Sequence, residues 1–235
     1  MIEISGRTAL VGIIGNPVSG SLSPRMQNAA FAARGLDWAY VPLPVGEGHV
    51  PDAIRGLVAL GFAGANVTVP HKRAAAAACD EADGGSVNTL VIDGGRVLGF
   101  NTDREIVRGI EAERVCLIGA GGAAEALLPG LGAAEVRTFT RSGSWPPDAT
   151  GCDLVINATP VRDELLIGLT PEQVVVDLAY HADGRETALV AEAHRVGCHA
   201  VIDGLEALVR QGAASFERWT GVPAPLDVMR AAIRP

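Results

Sequence analysis

One lysine stands among the 19 basic residues of this 235-residue chain, Lys72 against 18 arginines. Arginine is effectively always charged, whereas the ammonium group of lysine can release its proton where its pKa is lowered. A position that stays lysine is therefore a candidate for proton chemistry, although one lysine surviving by chance on a solvated face gives the same count. The segment Asn66-Val-Thr68-Val-Pro70-His-Lys72 predicts a strand ended by proline. This places the lysine at the carboxyl end of a strand, where open α/β sheets bind ligands.

A carboxylate in the segment Asn101-Thr102-Asp103 is the natural partner for this lysine. An ammonium and a carboxylate that share one substrate hydroxyl can move its proton while a hydride leaves the carbon. We therefore take Lys72 and Asp103 as candidate catalytic residues. The pattern Thr102-x-x-Glu105 also fits a capping box, so a purely structural role for this turn competes with the catalytic one.

Two hydroxyls precede the first predicted helix, residues 25–34. Ser21 and Ser23 are two positions apart in an extended segment, so their side chains point the same way. Together with the free backbone N–H groups of a helix start, they make a site for a small carboxylate. Taken alone, Ser23 is better explained as an N-cap, with Pro24 at the first helical position.

A glycine turn, Gly119-x-Gly121-x-x-Ala124, follows a predicted strand at 115–118 and precedes a predicted helix at 125–131. This is the context that the dinucleotide-binding fingerprint requires. The first glycine makes the tight turn, the second lets backbone N–H groups approach a pyrophosphate, and the alanine allows close helix–strand packing. A plain tight turn is the alternative.

The end of the next strand bears on the choice of cofactor. An acidic residue about 20 residues beyond the fingerprint accepts hydrogen bonds from a ribose hydroxyl and favours NAD. This chain instead has Thr140-Arg141-Ser142. Because Arg141 can pair with a 2′-phosphate, the sequence favours NADP without excluding NAD. A solvated strand end is the competing explanation for this arginine.

Composition argues against several other classes of function. The formal net charge is −8, which disfavours a nucleic-acid partner. No apolar run approaches the roughly 18 residues of a membrane span, and the first residues do not resemble a signal peptide. The four cysteines and five histidines lack metal-ligand spacing, and no G-x-S-x-G motif indicates a hydrolase. We expect a cytoplasmic protein that acts on a small molecule, with no metal, membrane or nucleic-acid partner.

Predicted strands and helices alternate in the first half of the chain, which indicates a parallel or mostly parallel α/β sheet. A second α/β unit starts near Arg114. Only 12 residues separate Thr140 from Asp153, and two of them are prolines. Since a parallel crossover usually contains a helix, we predict that this crossover has lost its helix.

Eight groups of segments together carry a resemblance to a known family. They are Gly15-Asn-Pro-Val18 with Ser21-Leu-Ser-Pro24 and Asn28; Asn66-Val-Thr-Val-Pro-His-Lys72; Ser86-Val-Asn-Thr89; Gly99-Phe-Asn-Thr-Asp103; Gly119-Ala-Gly-Gly-Ala123; Asn157-Ala-Thr-Pro160; Asp177-Leu-Ala-Tyr180; and Gln211-Gly-Ala-Ala-Ser-Phe216 with Trp219-Thr-Gly221. In this order, and covering nearly the whole chain, they resemble the shikimate dehydrogenase family.

The resemblance implies an NADP-dependent interconversion of shikimate and 3-dehydroshikimate on the route to chorismate and the aromatic amino acids. It makes Lys72 and Asp103 the catalytic pair. The implied substrate-binding residues are Ser21, Ser23, Asn66, Thr68, Asn88, Tyr180 and Gln211. The implied cofactor-binding residues are Gly119, Ala120, Gly121, Gly122, Ala123, Thr140, Arg141, Ser142, Ala158, Thr159 and Pro160.

The resemblance also implies two domains with a cleft between them. Residues 1–103 with 205–235 would form an α/β substrate-binding domain, and residues 104–204 a Rossmann-like NADP-binding domain. The protein would be a monomer or a homodimer.

Some positions depart from the family pattern. Gly20 stands where histidine is usual, Ile106 and Arg162 stand where glycine is usual, and the segments after Lys72 and Arg141 are short. Two alternatives therefore stay open. One is a dehydrogenase-like paralogue acting on quinate, aminoshikimate or another cyclic hydroxy acid, and the other is a non-catalytic ligand-binding relative.

Overall fold

The computed structural model describes residues 4–132 and 135–234 and contains two β-sheets. Each sheet is built from short aliphatic segments that end at glycine, proline or polar residues. The chain divides into a first unit that extends to Thr102 and resumes over Gln211–Arg234, and a second unit, Asp103–Arg210. The sequence analysis drew these boundaries after residues 103 and 204; its outermost positions, 1 and 235, lie outside the described residues.

The first unit contains a six-stranded sheet and four helices. The strands are β1 (Ala9–Gly15), β2 (Trp38–Pro44), β3 (Gly64–Val67), β4 (Glu81–Ala82), β5 (Thr89–Asp93) and β6 (Arg96–Phe100), in the order β2-β1-β3-β5-β6-β4. The helices are α1 (Ser23–Ala33), α2 (Val50–Ala59) and α3 (Lys72–Ala77), with α7 (Leu226–Ile233) near the end of the chain.

The first sheet is mixed rather than mostly parallel, which corrects the sequence prediction. Strands β1, β2 and β3 are parallel, but β5 pairs antiparallel with both β3 and β6. Gly94 and Gly95 both have positive φ, 57° and 84°, as the tight turn of a two-residue hairpin requires. The sequence held this signal, two short apolar runs joined by Gly-Gly, and the prediction overlooked it.

One core cluster of this unit is mainly aliphatic, although the unit also buries a stacked aromatic pair, Phe31 and Phe216. Helix α2 buries Val50, Ile54 and Leu57, which are spaced four and three residues apart and so lie on one face. They pack in one cluster with Ile14 of β1 and Leu90 of β5. This packing fixes the carboxyl ends of β1 and β3, beside which the candidate substrate residues lie.

The second unit contains a five-stranded, fully parallel sheet. Its strands are β7 (Arg114–Ile118), β8 (Glu135–Phe139), β9 (Leu154–Asn157), β10 (Val174–Asp177) and β11 (Ala200–Ile202), in the order β11-β10-β9-β7-β8. The helices are α4 (Gly122–Leu127), α5 (Ala188–Val196) and α6 (Gly204–Thr220), and the boundary between the units falls within α6. The strand order reverses direction beside β7, so the carboxyl ends of β7 and β9 form the switch point at which such sheets bind ligands.

The crossover from β8 to β9 has no helix: residues 140–153, all of them described, form turns and irregular structure. This confirms the prediction from the two prolines. The segment covers the sheet with Ala149 and Cys152, which pack against Cys116 and Val155. Strand β8 is an edge strand: among the described strands it pairs with β7 on one side and with none on the other.

Among the described residues no helix is both long and apolar enough to span a membrane. The described part of the chain also brings together no group of three or more histidine, cysteine, aspartate or glutamate side chains suited to a metal ion.

Candidate active site

The start of α1 presents the two predicted carboxylate-binding serines. Helix α1 begins at Ser23 with Pro24 in its first turn, and the N-cap position falls on Leu22. The Ser23 backbone N–H donates to the Ser21 hydroxyl oxygen, with an N–O distance of 3.2 Å. The sequence prediction of Ser23 as the N-cap was therefore wrong. The Ser21 hydroxyl accepts the hydrogen bond at the helix start, so the Ser23 hydroxyl is available for a partner outside the helix.

A buried tyrosine on β2 connects this helix start to β3. The Tyr40 hydroxyl donates to Asn66 Oδ1 over 2.9 Å, and the Ser23 and Tyr40 side chains are hydrogen-bonded. Burial raises the pKa of Tyr40 well above its usual value, so the phenol stays protonated. The Asn28 amide fixes the Tyr40 backbone from both sides, donating to its carbonyl over 2.9 Å and accepting from its N–H over 2.8 Å. Tyr40 was not predicted as a site residue.

Five buried polar side chains meet beside β3 and are called the polar cluster here. The Asn66 amide nitrogen lies 3.0 Å from the Asn88 carbonyl, 3.2 Å from Thr89 Oγ1 and 3.0 Å from Ser215 Oγ. The Thr89 and Ser215 hydroxyls are 2.8 Å apart. The members are Asn66, Asn88, Thr89, Thr102 and Ser215, all less than 7% exposed. Both ends of the Asn66 amide thus have protein partners, and its contact with substrate stays a prediction.

The polar cluster also fixes Asn88. Its side-chain oxygen accepts from the Thr102 backbone N–H over 2.8 Å, from the Thr102 hydroxyl over 3.0 Å and from the Thr89 hydroxyl over 2.9 Å. Three donors on the oxygen determine which way the amide NH2 group points. The hydroxyl of Thr102 therefore serves the polar cluster, and Asp103 follows it directly in the chain.

The predicted catalytic residues lie in the first turns of two short helical segments. Lys72 is the first residue of α3, and its carbonyl accepts the Val87 N–H over 3.1 Å. Asp103 is buried in the 3₁₀ helix Thr102–Ile106. His71, the residue before Lys72, is buried, and its Nε2 is hydrogen-bonded to the Val45 carbonyl oxygen over 2.6 Å. Because Lys72 and Asp103 belong to different units, their pairing across one substrate stays a prediction.

The other predicted substrate residues are spread over three elements. Thr68 follows β3, and its backbone N–H donates to the Ile14 carbonyl over 2.9 Å. Gln211 lies on α6, where its carbonyl accepts the Ser215 hydroxyl over 3.1 Å, so it is one turn from the polar cluster. Tyr180 follows β10 in the second unit and is half-buried.

The glycine turn of the second unit is built as the fingerprint predicts. Gly119 has a φ of +107°, and a Cβ there would stand 3.1 Å from the Ala158 carbonyl oxygen. Its N–H donates to the Phe139 carbonyl over 2.8 Å, so the turn links the ends of β8 and β9. Gly121 is extended, and a Cβ on it would meet no atom within 4 Å. Helix α4 starts at Gly122, three residues before the predicted start. Ala120, Gly122 and Ala123 complete this turn.

A buried carboxylate holds the turn after β9. Asn157 accepts the Thr159 N–H and hydroxyl over 3.0 and 2.6 Å and donates to Asp177 over 2.9 Å. Asp177 also accepts the Thr187 hydroxyl over 2.5 Å and the Ala179 N–H over 3.0 Å. Burial raises the pKa of Asp177 despite these donors. Ala158, Thr159 and Pro160 are thereby held beside Gly119, a role of Asp177 that the sequence analysis did not anticipate.

Arg141 follows β8 and has two neighbours. Its Nη2 lies 3.0 Å from Glu164 Oε2, and its Cζ lies 5.3 Å from the centre of the Trp145 ring. Thr140 and Ser142, with hydroxyls 3.5 Å apart, flank it in the turn. Arg141 therefore lies at the carboxyl end of β8, the glycine turn at that of β7, and the hydrogen-bonded turn with Thr159 at that of β9. This donor set fits a dinucleotide with a 2′-phosphate.

Known proteins match the chain over its whole length. Residues 13–90 match the shikimate dehydrogenase substrate binding domain, and residues 204–234 match the shikimate 5′-dehydrogenase C-terminal domain. A shikimate dehydrogenase (NADP(+)) from Methanothermobacter thermautotrophicus is 37% identical, with 98% of each sequence covered. This chain belongs to the shikimate dehydrogenase family.

Solved structures of this family have the same fold. A crystal structure of a shikimate dehydrogenase in complex with NADP+ superposes with a TM-score of 0.88, at 32% identity, over 98% of this chain and 96% of that one. A shikimate 5-dehydrogenase of Thermus thermophilus, in complex with NADP(H) and shikimate, gives a TM-score of 0.84 at 28% identity, over 96% of this chain and 98% of that one.

The relatives carry segments that this chain lacks. The alignment with the Methanothermobacter protein is 279 positions long, whereas the chain has 235 residues. The sequence analysis expects short segments after Lys72 and Arg141, and the helix-free crossover between β8 and β9 begins next to Arg141.

Proposed function

We propose that the protein is an NADP-dependent oxidoreductase that interconverts shikimate and 3-dehydroshikimate, a step of aromatic amino acid biosynthesis. The observation that carries the proposal is the full-length similarity to a curated shikimate dehydrogenase (NADP(+)), at 37% identity over 98% of both sequences. The candidate catalytic positions and the cofactor-binding positions of the two turns, 119–123 and 158–160, fall within segments that resemble the family pattern, whereas positions 140–142 do not. Fold similarity alone does not establish function, so the proposal depends on these residues.

Serine hydroxyls hold the substrate carboxylate in this proposal. Ser21 and Ser23 lie at the start of α1, where the helix dipole also favours an anion. Tyr40, bonded to both Ser23 and Asn66, keeps the serine fixed relative to β3. The hydroxyl groups of the ring are bound by Thr68, Asn88, Tyr180 and Gln211, with Asn66 supporting them from the polar cluster.

Proton transfer is assigned to Lys72 and Asp103. The two side chains share the hydroxyl that is oxidised: the hydroxyl proton moves to this pair as the C–H bond breaks and the carbonyl forms. NADP supplies the hydride acceptor when it is bound. Lysine suits this step better than arginine, because the guanidinium of arginine effectively never releases its proton.

The cofactor is held by backbone groups and one cation. Gly121 gives the pyrophosphate access to the backbone at the start of α4, Gly119 allows the close turn, and Thr159 borders the turn after β9. Arg141 binds the 2′-phosphate as the charged donor. In this proposal the first unit is the substrate-binding domain and the second unit is the cofactor-binding domain, for which the sequence predicts residues 1–103 with 205–235 and residues 104–204.

The rate of NADPH formation on mixing protein, NADP and shikimate tests this function. We expect turnover with shikimate and NADP that exceeds turnover with NAD or with quinate. A panel of cyclic hydroxy acids distinguishes the paralogue alternative, since quinate turnover equal to or faster than that of shikimate would overturn the substrate assignment. Shikimate binding by calorimetry without any NADPH formation would favour the non-catalytic relative.

The proposal also covers the location and the oligomeric state of the protein. We place the protein in the cytoplasm, acting on small molecules as a monomer or a homodimer. Light scattering on a size-exclusion column decides between the two assemblies, and a larger particle would contradict both.

A further inference from the structure

Arg141, the residue assigned to the 2′-phosphate, already has an anionic neighbour. Glu164 Oε2 lies 3.0 Å from its Nη2, and the two side chains are 62% and 64% exposed. Glu164 belongs to the segment after β9, 23 residues further along the chain. Its carboxylate and an incoming 2′-phosphate would use the same N–H groups of one guanidinium.

The other side of the guanidinium is occupied by the Trp145 ring, 5.3 Å from Cζ. A cation over an aromatic face is held in place without losing its hydrogen-bond donors. Arg141 therefore has Nη2 next to the Glu164 carboxylate and Cζ near the Trp145 ring. A phosphate that binds Nη2 must displace the carboxylate or tolerate its negative charge nearby.

The same carboxylate has the chemistry that an NAD site uses. In dinucleotide-binding folds, an acidic residue near the end of the second strand accepts hydrogen bonds from the ribose hydroxyls of NAD. This chain has Arg141 at that strand end, and the acid reaches the guanidinium from a different segment. The site thus combines a cation suited to NADP with a carboxylate suited to NAD.

We propose that Glu164 is a specificity-determining residue that competes with the 2′-phosphate for Arg141. It thereby lowers the ratio of kcat/KM for NADP to that for NAD. The proposal rests on the proposed function, since it requires a dinucleotide at the glycine turn. An exposed ion pair contributes little to folding stability, so Glu164 can be replaced without endangering the fold.

The test compares Glu164→Gln with a neighbouring control. Asp163→Asn removes the same charge one residue earlier, but Asp163 pairs with Arg185 over 2.8 Å instead of with Arg141. We expect Glu164→Gln to raise the ratio of kcat/KM for NADP to that for NAD about 3- to 10-fold, through KM rather than kcat. Asp163→Asn leaves that ratio within about twofold, because its charge is neutralised by another arginine.

Binding without turnover provides a second readout. Adenosine 2′,5′-bisphosphate, titrated by calorimetry, binds Glu164→Gln about 3- to 10-fold more tightly than the wild type, whereas adenosine 5′-phosphate does not. In the background of Arg141→Gln the effect of Glu164→Gln disappears, because the two residues act on the same phosphate.

Distinct results overturn the two claims. A wild type that binds neither adenosine 2′,5′-bisphosphate nor NADP removes the proposed function and this inference with it. A wild type that binds both, together with a Glu164→Gln variant whose cofactor ratio stays within twofold, overturns the role of Glu164 alone. An equal gain in the Arg141→Gln background would also overturn it, because the effect would then not pass through Arg141.

Discussion

The polar cluster of the first unit and the strand-end turns of the second unit are built in opposite ways. In the polar cluster, five buried side chains bond one another, so each is oriented by several partners. The turns instead consist of glycine backbone and an exposed ion pair. A buried network is costly to break because a group left without a partner loses its hydrogen bonds. An exposed pair is easily replaced, so changes there are expected to alter cofactor choice more than stability.

The largest effect is expected in the polar cluster. Asn66→Leu leaves Tyr40 and Ser215 without their amide partner, and we expect the free energy of unfolding to fall by about 2–4 kcal/mol. Guanidinium unfolding followed by circular dichroism measures this change. Tyr40→Phe removes a single hydroxyl and serves as the graded comparison, with an expected loss of about 1–2 kcal/mol. Equal stability of Asn66→Leu and wild type would show that the cluster is not held together by this amide.

The two glycines of the turn separate folding from cofactor binding. In Gly119→Ala the new methyl group lies 3.1 Å from a carbonyl oxygen at a φ of +107°, so we expect a stability loss of about 1–3 kcal/mol. In Gly121→Ala the methyl group meets nothing within 4 Å, so stability stays within about 0.5 kcal/mol.

NADP affinity is expected to fall at least about tenfold in both glycine variants, which corresponds to about 1.4 kcal/mol. Calorimetry with NADP and thermal unfolding measure the two quantities separately. Normal NADP affinity in Gly121→Ala would mean that the pyrophosphate does not approach this glycine.

The smallest effect concerns pH and Asp177. Because burial raises the pKa of Asp177 above its ordinary value of 3.8, the folded state holds the proton more strongly than the unfolded chain. Its contribution to stability is therefore present below that value and is lost as the pH rises through the raised pKa. We expect the opening free energy of the wild type, relative to Asp177→Asn, to decrease with rising pH. Hydrogen exchange at the Ala179 and Val190 amides, corrected for the intrinsic rate at each pH, measures it.

Asp163 provides a comparison of opposite sign. Arg185 lowers the pKa of Asp163, so its stabilising contribution is present above the ordinary value and is lost as the pH falls. The effect is small, since the side chain is 69% exposed. The same slope in both aspartate variants would contradict the account of Asp177.

Local patterns predicted many of the elements, but they missed the β5–β6 hairpin and the contacts between distant segments. The glycine turn and the helix-free crossover were both predicted correctly, because each depends on a signal only a few residues long. The signals are the glycine motif and the prolines at 146 and 147. Ser215 is 149 residues from Asn66, and nothing near either residue indicates that they meet. Tyr40 looks like an ordinary strand residue, since its role depends on the buried partners that it connects.

Glu164 illustrates the same limit at the cofactor site. The absence of an acid after β8 favoured NADP, but the carboxylate that reaches Arg141 comes from the segment after β9. Sequence spacing describes one strand end at a time, whereas a parallel sheet brings several strand ends to one edge. In our proposal for Glu164, the choice between NADP and NAD therefore depends on the fold as well as on the motif.

The central claim is that the lone lysine takes part in proton transfer, and Lys72→Ala and Lys72→Arg test it most directly. The first variant removes the amine and the second keeps the charge without a proton that can be released. We expect NADPH formation from shikimate to fall by about 10²–10⁴-fold in both, while circular dichroism and NADP affinity stay those of the wild type. Turnover within a few-fold of the wild type in the arginine variant would contradict the account, since charge alone would then suffice.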